Sequence, residues 1–100
     1  MDTSFSFQLV EGTYLPSEAK KILMTLLHDK INYHEREAFS TEERFGIKAQ
    51  HSLQRIEALQ KVVEEVLAQI ELAQLNEMDL VINGTLSVEL VKASQSKHAL

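Results

Sequence analysis

The sequence predicts an α+β fold, mainly helical: a long antiparallel helical hairpin with a small antiparallel β-sheet from an N-terminal strand and a C-terminal β-hairpin. Three observations predict it. Two apolar stripes of nearly equal length flank Phe45-Gly46. An alternating segment precedes the first stripe. The turn-forming dipeptide Asn83-Gly84 follows the second, set between two apolar runs.

The alternating segment is Ser4 to Val10, with Phe5, Phe7 and Leu9 on one side and Ser4, Ser6 and Gln8 on the other. That pattern is a half-buried strand. Glu11-Gly12-Thr13 ends it, and Pro16 suits the first turn of a helix, where its missing N–H removes no bond. Glu18 places a negative charge at the positive end of the same helix.

Leu23, Leu27, Ile31, His34, Ala38, Thr41 and Phe45 recur at steps of three and four, so they share one helical face. Gly46 closes the helix, because glycine adopts the left-handed conformation of a helix end without steric penalty. Ala49, Leu53, Ile56, Leu59, Val63, Val66, Ile70 and Ala73 form the second stripe, whose later part keeps coiled-coil spacing. Each helix spans roughly 27 to 30 residues, or roughly 40 to 45 Å. A rival division starts the second helix at Thr41, since Ser40 with Glu43 reads as a capping box. The first stripe runs through Ser40 unshifted, which favours the break at Gly46. With the reversal there, facing residues have numbers adding to about 95.

Asn83-Gly84 is the strongest short hairpin signal. A two-residue loop sets Leu80 opposite Ser87. A three-residue loop over residues 82–84 sets Leu80 opposite Leu86 and Met78 opposite Val88, which keeps apolar residues together and is preferred. The runner-up is one uninterrupted strand through Gly84. The whole forms a single domain over residues 1–92, with an aperiodic, frayed tail over 93–100.

Composition narrows the function. The chain has 100 residues, 44% hydrophobic and 25% charged, so one domain with little core to spare is expected. Ten basic against 15 acidic residues give a net charge of −5, which repels a phosphate backbone. No nucleic-acid partner is expected. Without cysteine there is no disulfide, thiolate metal site or cysteine nucleophile. The start Met1-Asp2-Thr3 lacks a secretory pattern, and the apolar run Ile22 to Leu27 falls far short of the roughly 20 residues of a membrane span. The expectation is a cytoplasmic protein with no membrane partner, in which Asn83-Gly84-Thr85 is a turn rather than a glycosylation acceptor.

Candidate chemistry is sparse. His34 lies on the first stripe between Ile31 and Ala38, where a neutral, hydrogen-bonded imidazole is expected. In the register adding to about 95, it faces about residue 61, roughly 15 Å along the helix from His51, too far for a shared metal. Neither His-x3-His nor Glu-x2-His occurs, so the helical zinc and di-iron signatures are missing. Glu42-Glu43 and Glu64-Glu65 point about 100° apart on a helix and read as solvated faces. Lys20-Lys21 and Arg44 with Lys48 read as surface patches. The most reactive-looking neighbourhood is Tyr33, His34 and Glu37. No catalytic residue, metal ligand or cofactor is assigned.

Apolar residues crowd the end of the hairpin opposite Gly46, where the sheet elements also attach, and two helices cannot bury both of their flanks. A second copy is the usual remedy, giving a four-helix bundle with closed two-fold symmetry. Leu26, Leu67, Val66 and Ile70 are the expected interface. The expected function is therefore non-enzymatic: self-association as a homodimer or tetramer, with another protein as a further candidate partner. The alternative is a bundle that binds a metal or small ligand at Tyr33, His34 and Glu37 across the dimer interface.

Overall fold

A computed structural model describes residues 3–93. Four elements follow in order: β1 (Ser4–Tyr14), α1 (Pro16–Phe45), α2 (Gln50–Leu75) and β2 (Leu80–Glu89). They make two compact units, a helical hairpin over Tyr14–Leu80 and a two-stranded antiparallel sheet built by residues 3–13 and 81–93. Among the described residues, no helix is long and apolar enough to cross a membrane. The expected tail, apart from Ala93, lies outside the described residues.

The hairpin starts and turns where the sequence signals say. Pro16 is the first residue of α1, and the Leu15 N–H just before it donates to the Glu18 carboxylate at 3.0 Å. This is half of a capping box, since the leucine side chain has no oxygen to complete it. Gly46 closes α1 at φ 66°, its N–H donating to the Glu42 carbonyl. The helix thus passes through Ser40, and the rival start at Thr41 is not used. α2 ends in a Schellman turn: the Glu77 N–H donates to the Gln74 carbonyl and the Met78 N–H to that of Ala73. Glu77 occupies the left-handed position at φ 53°, where glycine is the usual residue.

The register between the helices differs from the expected one. Glu37, which that register sets opposite about residue 58, instead accepts a hydrogen bond from the Ser52 hydroxyl at 3.2 Å. The turn explains the shift. Residues 46–49 are non-helical and carry the chain back along α1, so the last turn of α1 overhangs the start of α2. Phe45 is accordingly 66% exposed although it lies on the apolar stripe. The other six residues of that stripe, and all eight of the second, are buried or half-buried.

The seam is thin. Among the described residues, its buried apolar side chains are Ala19, Ile31, Ala38, Ala49, Ile70 and Ala73, of which only the two isoleucines are large.

In the sheet, the Leu90 N–H donates to the Thr3 carbonyl at 2.6 Å and the Thr85 hydroxyl to the Gln8 side chain at 3.1 Å. Both contacts fix the same antiparallel register, which also sets Phe5 opposite Val88, Phe7 opposite Leu86 and Leu9 opposite Gly84. The C-terminal hairpin expected at Asn83-Gly84 does not form; β2 is the uninterrupted strand. A local hairpin would match only a few residues on each side of its turn, whereas β1 supplies an 11-residue partner for the whole of β2. The same pairing carries β1 through Gly12, past its expected end at Val10, because Val81 lies opposite Gly12.

Alternation puts Phe5, Phe7, Leu9, Leu86 and Val88 on one side of the sheet and Ser6, Gln8, Thr85 and Ser87 on the other. Phe5 and Phe7 stack at a centroid distance of 6.1 Å. The apolar side was expected to be half-buried, yet these five side chains are exposed. A two-stranded ribbon has no second layer of its own to cover them.

Candidate functional site

The polar neighbourhood predicted on α1 closes into a cluster within the helical seam. Tyr33, His34 and Glu37 come from consecutive turns of α1, where the spacings of three and four residues bring Glu37 beside both of the others. The Tyr33 hydroxyl donates to one oxygen of Glu37 at 3.3 Å, and Ser52 of α2 donates to the other. Lys30 places its ammonium 5.5 Å from the Tyr33 ring centroid, and the Tyr33 and His34 rings meet edge to face at 5.4 Å.

His34 is fully buried, with 0% of its surface exposed. Its Nδ1 lies 3.7 Å from Glu37 Oε1, beyond hydrogen-bonding distance, and neither ring nitrogen has a hydrogen-bond partner. The neutral imidazole expected here is therefore buried without the expected bond. Burial pushes its pKa below 6.5; the Glu37 carboxylate opposes that shift, while Lys30, Arg55 and the neighbouring His51 add to it.

Tyr33 is pushed the other way. The charge of Glu37 first, then burial and its hydrogen bond to Glu37, raise its pKa above 10.0. A phenol so placed keeps its proton at neutral pH and suits a structural bridge better than proton abstraction.

The corrected register also changes the geometry of the histidines. His34 stands opposite about residue 55, one helical turn from His51, rather than about residue 61. Their electrostatic coupling follows from this approach. Even so, among the described residues no group of three histidine or acidic side chains is placed to hold a metal ion.

Ser52 and Arg55 join the cluster from α2, outside the three residues that the sequence points to. For Ser52 a signal was present. It stands three residues after Ala49 and four before Ile56, so it continues the second stripe as well as Leu53 does.

Shallow hollows on α1 are lined by other residues, among them Lys20, Lys21, Met24 and His28 in one and Asn32, Glu35, Arg36 and Phe39 in another. Of the four expected interface residues, Ile70 is 3% exposed inside the hairpin seam and Val66 is half-buried beside it, whereas Leu26 and Leu67 stand exposed. Comparison with protein families, with curated proteins and with solved structures finds no match to this chain.

Proposed function

We propose that this chain is a small non-enzymatic cytoplasmic protein whose work is association, first with further copies of itself along the flanks of the helical hairpin. The observation carrying this reading is the poverty of the seam. In helices of 30 and 26 residues the buried apolar side chains larger than alanine are Ile31 and Ile70, while the leucines and valines of the two stripes stay half-buried. Leu26, Val62 and Leu67 stay 40%, 39% and 37% exposed beside the seam. Each buried leucine contributes roughly 1.5–3 kcal/mol, so a partner on these flanks supplies stability that one copy lacks. A four-helix bundle of two copies meets that need with the surfaces already present.

Sedimentation of the wild-type chain at micromolar concentration, beside Leu67→Lys, tests the proposal. A wild-type dimer or tetramer that weakens in the variant is expected; a compact wild-type monomer refutes it.

A second reading, a metal or small-ligand site shared across the dimer at Tyr33, His34 and Glu37, is favoured by the two unpartnered nitrogens of His34. Isothermal titration with zinc tests it. Heat that disappears in His34→Leu is the expected result, and no heat above the buffer control removes the reading.

A further inference from the structure

The sheet unit carries an apolar side that its own two strands cannot cover. Isolated two-stranded ribbons are marginal in water and need a further strand or a packed layer. Phe5, Phe7, Leu9, Leu86, Val88 and Leu90 all project from that side and are between 40% and 69% exposed. Over the same stretch the opposite side carries Ser4, Ser6, Gln8, Thr85, Ser87 and Glu89, so this end of the sheet is two-faced, while Val10 and Val81 lie on that opposite side further along.

We propose that the apolar side of this sheet is a self-docking face, covered by the same face of a second copy about a two-fold axis running along the strands. This rests on the reading that copies of the chain associate, and it names a second surface through which they do so.

The register selects that axis. Rotation about the strand direction lays β1 of one copy over β2 of the other at the same height. The large rings of Phe5 and Phe7 then sit over the smaller Val88 and Leu86 of the partner copy, bulky against slender. A two-fold axis across the strands would instead stack β1 on β1 in reverse, which brings neither phenylalanine over Val88 or Leu86. Aligned sheets pack about 10 Å apart with interdigitating side chains, and that separation suits such a layer.

Area agrees. Six side chains exposed to this degree present roughly 500 Å² per copy, so two copies bury roughly 1,000 Å² between them, the threshold of a specific interface. Charge disfavours the other occupants. No charged side chain interrupts the six positions, and within the two strands the charge on that side is Glu11, beyond Leu9. An anionic lipid surface or a nucleic acid gains nothing from such a rim. A foreign apolar protein would need to reproduce the complementarity that a second copy already has.

Sedimentation equilibrium on the full chain tests the inference with Leu86→Glu and Val88→Thr on the apolar side, Ser87→Lys on the polar side and Leu67→Lys on the helices. Val88→Thr keeps a β-branched shape, so it reports even where Leu86→Glu loses the strand; far-UV circular dichroism checks the helices. Both apolar-side variants should weaken association by about tenfold or more, with Ser87→Lys close to wild type. The chain has no cysteine, so Phe7→Cys copies mixed with Leu86→Cys copies should cross-link through a short bismaleimide more readily than either alone. Wild-type dimers unaffected by Leu86→Glu and Val88→Thr but broken by Leu67→Lys overturn the sheet face and leave helical association standing. A wild-type chain that stays monomeric at about 100 μM overturns both. Dimers broken only by the apolar-side variants support the sheet face and remove the helical flank.

Discussion

Replacing His34 by leucine should make the helical hairpin more stable and less sensitive to acid. The imidazole is fully buried with both nitrogens unpartnered. A buried polar group without a hydrogen bond costs about 1–3 kcal/mol, and leucine fills a similar apolar volume without that penalty. Allowing for imperfect fit, we expect a gain of about 1–2 kcal/mol at pH 7.5, a rise in melting temperature of roughly 4–16 °C for a domain of this size.

The pH dependence has a definite sign. The folded-state pKa lies below 6.5, chiefly through burial, so on acidification the unfolded chain takes up this proton first. Stability is therefore fully present above pH 6.5 and falls as the pH drops from there through the lowered folded value. The slope for this one group cannot exceed about 1.4 kcal/mol per pH unit. Urea unfolding followed by helical circular dichroism between about pH 7.5 and 5.5, at one protein concentration, measures both effects above the usual carboxylate range. The difference in slope between His34→Leu and wild type isolates His34 from the other histidines. A variant destabilised by more than about 1 kcal/mol, or an unchanged slope, would refute the account, because either result means the imidazole holds a bond or a charge in the seam.

Other consequences follow from single positions. Gly46→Ala should cost about 1 kcal/mol in urea unfolding purely through its left-handed backbone, since an added Cβ meets nothing within 4 Å. Glu77→Gly should gain about 1 kcal/mol in the same assay by relieving the left-handed glutamate of the Schellman turn. Gly84→Thr should protect β2 amides from hydrogen exchange by about 0.5–1 kcal/mol, because the position is extended and open; increased exchange would indicate a turn there. Ile70→Asp should abolish the helical signal or shift its midpoint by several kcal/mol, since it buries an uncompensated charge inside the helical seam.

The elements governed by local physics were legible in the residues. Steps of three and four set the two stripes, Pro16 and Glu18 marked a helix start, and Gly46 marked a helix end, because each acts through its own backbone or its neighbours within one turn. The polar triad Tyr33, His34 and Glu37 was legible for the same reason, since all three lie within five residues on one helix. Ser52 could be placed on the second stripe, but that it and Arg55 meet the triad was not legible, because the partner face depends on how four non-helical residues fold back, and a shift of about six residues along a helix moves facing groups by about 9 Å.

The sheet divides the same way. Alternation in β1 was plain in the sequence, but the partner of β2 was not. Asn83-Gly84 permits a hairpin without requiring one. The tertiary structure chose the distant strand because a ladder along all of β2 satisfies more backbone groups than a tight local turn can. That choice places the two phenylalanines opposite leucine and valine and builds a continuous apolar surface from segments about 80 residues apart in the chain, which no local pattern encodes.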